Sequence, residues 1–450
     1  YYFLYMIAFF AVFYLLVYSI IEKRSVKSTA GKVVGLGGMG ILGVLMGGIA
    51  LIPIADTFLE SARSGALNGS VTSGILNPYK SKTIGTIFAR FLSNQILGID
   101  KDYTGSLNYY EGMVLAVSIL TILAVSYFII KKSTRVHTII LTVLVIFLSV
   151  MPVTSRILIF TKSAHRWCFM ICFAEALIIG LFLQEVLRER NKKTVLGGGI
   201  LAVILYAALL IYIYSFKNIK INNKIVAEVS TFFVVYLILV LIVTNIKKLY
   251  KIGSTVILAV LVCELFILNY PSLWHRESPT RNQLATEYYN DGTTDAVNYL
   301  KSQDDSLYRI EKSYRSTAEN DGMAQGYNGL SVYMSTNPSS LVSYHKMYGP
   351  ETLSVNFVDF NKDDYIRNSL LGTKYLFGSA GYNAPRKIYT PVGEAGGKIV
   401  YENNYALPFG YLYDKEWSAG GLKKLSGLDK TLTSLSGFYY TDAEKNGAYK

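Results

Sequence analysis

Residues 225–244 read IVAEVSTFFVVYLILVLIVT, and residues 252–270 read IGSTVILAVLVCELFILNY. Each run is about as long as a helix must be to cross ~30 Å of hydrocarbon. Between them stand Lys247, Lys248 and Lys251, three cations in a connection of a few residues. Long apolar runs joined by short basic connections mark a chain threaded back and forth through a bilayer. Working outward from this pair, further apolar runs occupy about 2–21, 33–55, 112–130, 138–152, 166–187 and 194–215. The expected architecture is therefore a polytopic α-helical membrane protein with about eight transmembrane helices over residues 1–270. The run at 138–152 is short and requires tilt or local thinning of the bilayer.

The basic residues give the orientation. Lys23, Arg24, Lys27 and Lys32, then Lys131, Lys132 and Arg135, then Arg188, Arg190, Lys192 and Lys193, and finally the lysines at 247–251 fall in every second connection. The positive-inside rule makes those connections cytoplasmic and leaves everything beyond Tyr270 outside the cell membrane. With 51% hydrophobic residues, the net charge of +13 is explained by topology, and no nucleic-acid partner is expected. No set of aromatic stacking platforms accompanies the cations, as single-stranded nucleic acid would require. A long outer loop, residues 56–111, carries Asp56, Glu60 and Arg63 and the apolar stretch Ile84 to Ile99. Short amphipathic helices on the membrane surface suit it.

From Pro271 the pattern changes to polar turns and short alternating strands, such as Leu307-Tyr308-Arg309-Ile310 and Lys398-Ile399-Val400-Tyr401. Helices are expected at 294–302 and 363–371, the second opened by Asp363 and Asp364, whose charges favour a helix N-terminus. Residues 271–450 thus form an extracytoplasmic soluble α+β domain. All three cysteines, Cys168, Cys172 and Cys263, lie in apolar runs, so this domain is no disulfide scaffold. Its many tyrosines suit either an ordinary core or a sugar-binding surface.

Several constellations carry more than one reading. Gly35-Leu36-Gly37-Gly38-Met39-Gly40 fits a dinucleotide fingerprint in letters, but no strand precedes it. Continued by Gly43 and Gly47, it reads instead as a face for close helix approach. His165, Cys168 and Cys172 share a helix face at i, i+3 and i+7, yet lack a fourth metal ligand. Glu175 and Glu264 sit inside apolar spans, where a carboxylate is either a hydrogen-bonded structural group or part of a proton or ion path. Arg63, Arg156 and Arg166 fall near the expected outer surface, suited to lipid headgroups in general or to one phosphate held by a planar fork.

The order of several short motifs resembles the bacterial YfhO-type membrane proteins. Tyr1-Tyr2-Phe3-Leu4-Tyr5-Met6 looks like the aromatic run opening a middle span of that family. Leu51-Ile52-Pro53 with Ser61-Ala62-Arg63, and Asn108-Tyr109-Tyr110-Glu111-Gly112, are similar to the stretches that follow. His165-Arg166-Trp167 matches in part, Cys168 standing where a serine is usual. Tyr308-Arg309-Ile310-Glu311, Leu370-Leu371-Gly372-Thr373-Lys374-Tyr375 and Glu402-Asn403-Asn404-Tyr405-Ala406-Leu407-Pro408 continue the series in the soluble part.

The resemblance implies a GT-C-like glycosyltransferase that moves a sugar from a polyprenyl-phosphate carrier to a cell-envelope polymer such as lipoteichoic acid. Membrane lipid is then both solvent and partner. Arg63 and Arg166 become the groups for the lipid phosphate, and Asp56, Glu60, Tyr110, His165, Trp167 and Glu175 a possible pocket. Tyr1 stands in an apolar run, so the chain is expected to be an N-terminally truncated fragment, with the catalytic carboxylate upstream. Asp56 and Glu60 do not match that carboxylate's place in the family. Nothing demands a cofactor, although a divalent metal is compatible. The alternatives are a transporter or flippase coupled through Glu175 and Glu264, and a non-catalytic envelope scaffold.

Overall fold

The computed structural model describes residues 2–21, 24–62, 64, 77–106, 116–159, 165–246, 248, 250–274, 278–317, 320–348, 355–358, 363–422 and 424–440. They fall into two compact units: Tyr1–Gly48 with Leu67–Glu277, and Ile49–Ala66 with Ser278–Lys450.

The first unit is helical. It begins with α1 (Tyr2–Ile21) and α2 (Val26–Met46). The Ser25 side chain caps α2 by accepting from the Ser28 N–H at 3.3 Å. The run expected as one span at 33–55 is divided at Gly47, after which α3 (Gly48–Glu60) starts, belonging from Ile49 on to the second unit. Glycine stabilises a helix least after proline, and this stretch is dense in it. The unit resumes with α4 (Ser81–Arg90), α5 (Leu120–Ile130), α6 (Arg135–Val150), α7 (Pro152–Ile159) and α8 (Phe169–Glu189). It ends with α9 (Lys192–Tyr214), α10 (Asn223–Asn245) and α11 (Tyr250–Trp274). Among the described residues five helices are long and apolar enough to cross a membrane: α2, α8 with the turn before it, α9, α10 and α11. Three shorter apolar helices lie at Met6–Leu16, Leu120–Ile130 and Arg135–Val150.

At the centre stands α5, packed against α8 and α9. Tyr127 is 1% exposed, and its ring meets those of Phe128 and Phe182 at 5.3 Å each. A Cβ on Gly198 of α9 would come within 3.0 Å of the Tyr127 Cα, so a larger residue would require the Tyr127 backbone to give by a few tenths of an ångström. Val229, Phe233, Tyr236 and Val240 of α10 recur at helical spacing and complete the same core. The sequence suggested a span over 112–130, yet the helix occupies only Leu120–Ile130. At 1.5 Å per residue that is about 16 Å, roughly half a hydrocarbon thickness.

The second unit is built on a four-stranded sheet in the order β1-β4-β6-β5, with β1 (Arg309–Lys312), β4 (Thr373–Gly378), β5 (Tyr389–Ala395) and β6 (Lys398–Asn403). β1 and β4 run parallel and the other neighbours antiparallel. Gly396 and Gly397 turn β5 into β6 with φ of +56° and +68°. A two-residue hairpin loop of this hand needs both angles positive, hence two glycines. Strand alternation sends Tyr375 and Phe377 to one face and Leu376 to the other.

Before the sheet come α12 (Arg281–Thr286) and α13 (Thr293–Gln303). Ala296, Val297 and Leu300 of α13 cover the Tyr375 face, in agreement with the helix expected at 294–302. α14 (Asp321–Gln325) is fastened to β1 through buried Lys312, whose ammonium donates to Asp321 at 2.7 Å and to Gln325 at 3.1 Å. The strand β2 (Val332–Tyr333) pairs antiparallel with β3 (Phe357–Val358). α15 (Ser339–Tyr348) contributes Val342, which with Val358 packs against Ala62 just beyond α3. The Ala62 N–H donates to the Asn337 carbonyl at 3.0 Å, which ties residues 61–62 into this unit. Asp364 caps α16 (Tyr365–Leu370) by accepting from the Arg367 N–H at 3.1 Å. Further on, β7 (Glu416–Ser418) pairs parallel with β8 (Phe438–Tyr440).

Candidate functional site

A half-length helix inside an apolar bundle leaves its first N–H groups without water and without helical partners. In α5 the first turn is met locally: the Leu120 N–H donates to Ser118 Oγ at 3.1 Å, the Thr121 N–H to the Ser118 carbonyl at 3.0 Å and the Ile122 N–H to the Ile119 carbonyl at 3.2 Å. The N–H groups of Val117 and Ile119, which lead into the helix, are met by acidic side chains from two distant helices. Glu175 of α8 accepts from the Val117 N–H at 2.9 Å. Glu264 of α11 accepts from the Ile119 N–H at 2.8 Å, from the Ser118 hydroxyl, and from the Tyr236 hydroxyl at 2.8 Å. The two carboxyls are 8% and 1% exposed. At the other end Arg135 donates to the carbonyls of Ile129 at 2.9 Å and Ile130 at 3.1 Å. Lys131 pairs there with Glu185 at 2.6 Å and Glu189 at 3.3 Å. The cations at the C-terminus suit the helix dipole.

The centre is closed by residues that the sequence reading assigned to a surface loop. α4 buries Gly85, Thr86, Ile87, Ala89 and Arg90, so it packs into the unit along one side. Leu92, Ile96 and Leu97 then enter the core at 1% exposure or less. Gln95 donates to the Leu268 carbonyl, and the Asn94 amide donates to Asn269 Oδ1 at 2.8 Å. The Asn222 N–H donates to the Ile96 carbonyl at 2.8 Å, and Thr104 Oγ1 donates to that of Lys220 at 3.0 Å. The cavity lined by Ser93, Asn94, Val117, Ser118, Glu264 and Asn269 measures about 10 Å³. That is room for one water at most.

The residues singled out in the sequence are distributed as follows. His165 is 2% exposed, with Nε2 at 3.2 Å from the Ser149 carbonyl. Its ring lies 5.7 Å from that of Trp167 and 5.2 Å from that of Tyr79. Trp167 donates to Ser155 Oγ at 3.2 Å, and Tyr79 donates to the same atom at 3.1 Å. His165 and Trp167 are thus together, as parts of one buried polar-aromatic cluster. Arg166 is half-buried in the 3-10 turn that leads into α8. Glu175 belongs to the α5 centre instead. Asp56 and Glu60 are exposed on α3, in the second unit. Arg63 and Tyr110 lie outside the described residues. The Gly35–Gly40 motif lies inside α2, away from any strand-to-helix turn. His165 precedes the helix that carries Cys172, so the expected shared face is not formed. Among the described residues no group of three or more His, Cys, Asp or Glu is placed to hold a metal. Ser118, Tyr236, Gln95 and Asn94 were not anticipated. Their one sequence signal is a polar residue within an otherwise apolar stretch.

The sequence pattern of one family, YfhO, described as a bacterial membrane protein, matches residues 1–445. The chain belongs to the YfhO family. No curated protein and no solved structure matches it. The YfhO match spans both units, so the sheet-bearing second unit is as much part of the family pattern as the helices are. In this YfhO chain the motif residues cluster where elements begin or end. His165-Arg166-Trp167 leads into α8, and Leu370-Leu371-Gly372 turns from α16 into β4 with Gly372 at φ +74°. Glu402-Asn403 closes β6, where buried Asn403 donates to Ser369 at 2.9 Å and to the Thr373 carbonyl at 3.1 Å.

Proposed function

We propose that this multi-pass YfhO protein is a GT-C-type glycosyltransferase. It moves a sugar from a polyprenyl-phosphate carrier to an extracytoplasmic envelope polymer such as lipoteichoic acid. The observation that favours this over transport is the closed state of the two intramembrane carboxyls. A coupling carboxylate must exchange protons or ions with water, whereas Glu264 is committed to three donors beside a space for one water at most. The carboxyls serve the framework and leave the chemistry to the membrane surface. There the sugar's anomeric carbon is attacked directly, with inversion, by an acceptor hydroxyl that a general base deprotonates. Arg166 neutralises the departing lipid phosphate as its charge grows, and Arg63 is a second candidate for that task. In this reading all eight apolar runs cross or enter the bilayer, and the sheet-bearing part of the second unit, from Ser278 on, lies outside the cell.

The decisive assay places the full chain in lipid nanodiscs with labelled polyprenyl-phosphate sugar and a teichoic-acid acceptor. Transfer that needs both substrates is expected. Absence of transfer together with proton- or ion-coupled flux in vesicles would establish the transporter instead.

Orientation is tested separately in intact cells, on a chain whose native cysteines are replaced. A cysteine at exposed Ser302 should react with an impermeant thiol reagent, and one at exposed Ser133 should react only after the membrane is opened. The reverse pattern would put the second unit inside and remove the proposed substrates from reach.

A further inference from the structure

We infer that the second unit carries a binding pocket for a neutral saccharide, formed where the end of α13 and the start of β1 face α14. The pocket encloses about 490 Å³, within the range of small-molecule sites. Lys301, Asp304, Asp305, Tyr308, Tyr327 and Asn328 are among its walls. None of them belongs to the membrane unit, and none takes part in the proposed transfer chemistry.

The pocket is pre-formed. The Lys301 ammonium donates to the Gly326 carbonyl at 2.8 Å, which joins α13 to the end of α14. Gly326 takes φ +74° there, a conformation that closes α14 and turns the chain into the Tyr327 wall. Asp304 accepts from Lys374 at 2.7 Å, from the Tyr375 hydroxyl at 2.8 Å and from the Ser306 N–H at 2.9 Å. Burial acts to raise its carboxyl, but these donors prevail and hold it below the ordinary carboxylate range. It therefore remains an oriented acceptor at any physiological pH.

The chemistry of the walls selects the ligand. A pyranose offers hydroxyls around its edge and patches of C–H on its faces. Asp305 is an exposed acceptor, and Asn328 spends one amide N–H on the Tyr308 carbonyl at 3.2 Å, leaving its carbonyl and second N–H. Tyr308 with Ile310 forms an apolar floor, half-buried Tyr327 a flat wall, and Met323 stands at the rim at 91% exposure. Charge gives a phosphate-rich ligand no advantage. Lys374 pairs with Asp304 at 2.7 Å, and the Lys301 ammonium already donates to the Gly326 carbonyl. A polyanion would meet the carboxylates of Asp304 and Asp305 beside these two lysines, whereas a neutral ring meets no such repulsion.

The test is direct binding to the full chain in nanodiscs, with no lipid-linked donor present. Maltotriose, cellotriose, chitotriose and sugar-free poly(glycerol phosphate) serve as probes, read by saturation-transfer NMR. At least one trisaccharide should bind. Asp305→Ala and Asn328→Ala, both at exposed positions, should each weaken it about tenfold. Met323→Ala should weaken it less. Failure of every trisaccharide, binding indifferent to both variants, or preference for the phosphate polymer would each overturn the assignment. The transferase reading stands or falls by the separate transfer assay, so the two results are independent.

Discussion

Replacing Glu264 with alanine should cost the membrane unit about 3–6 kcal/mol of stability, enough to unfold much of the protein. The Ile119 N–H and the Ser118 and Tyr236 hydroxyls would lose their common acceptor at a site 1% exposed. A buried donor left without a partner costs about 1–3 kcal/mol, and here there are three. The adjoining space admits one water at most, so solvent cannot replace the carboxyl without rearrangement. Glu264→Gln keeps one acceptor oxygen, and the two hydroxyls can turn to accept from its amide. Its cost should be nearer 1–2 kcal/mol. Both Glu264→Gln and Glu175→Gln should leave sugar transfer nearly intact at temperatures where the protein is folded. Thermal unfolding can be followed by exposure of buried Cys168 in a chain that keeps only that cysteine. A Glu264→Ala variant that melts with the parent would show that the α5 terminus finds other partners and that the centre has no structural weight.

The largest catalytic effect is expected at Arg166. A guanidinium on the lipid phosphate matters most when the leaving oxygen carries its full charge, so its loss should appear in kcat. Arg166→Ala should lower kcat on the order of a hundredfold, as removal of one such donor typically does. Lysine at this position should restore part of the rate, because one ammonium cannot reproduce the planar fork. Lys220→Ala, at an exposed position, should change little. Arg63→Ala enters the same assay as the second candidate. Normal turnover in both alanine variants, with folded protein, would reduce the arginines to headgroup anchors and remove the site.

What could be read in advance were features written in local sequence. Asp364 announced α16 because a carboxylate at that place satisfies a first-turn N–H. The helix expected at 294–302 is α13, whose Ala296, Val297 and Leu300 stand at helical spacing on its buried face. The depth of Glu175 and Glu264 in apolar runs announced a buried interior position, but not whom they meet. Their partners stand 58 and 145 residues away in sequence. The shortness of α5 was hidden for another reason: residues 112–119 are as apolar as the helix that follows, and the start at Leu120 rests on Ser118 as a local cap together with Glu264 from far along the chain. Leu92, Ile96 and Leu97 were read as surface for a similar reason. Apolar residues in a long loop look alike whether they meet lipid or the core of their own bundle. His165 and Trp167 adjoin Arg166 in sequence, yet the bonds of His165 and Trp167 to the 149–155 segment had no local sign.

The way α5 is finished at both ends bears on how the chain is made. An eleven-residue apolar helix is too short to hold a place across a bilayer alone. When it leaves the ribosome, Arg135 and Lys131 follow at once, but the acceptors for the residues that lead into it come late: Glu175 is 58 residues from Val117, and Glu264 145 from Ile119. During that interval Ser118 and Ile119 can serve the first-turn N–H groups, but the Val117 and Ile119 N–H groups wait for their glutamates. Insertion of the later spans, rather than of α5 itself, is then the step that completes assembly. A chain stopped before Glu264 would remain an attractive substrate for membrane quality control, whatever the quality of its earlier helices.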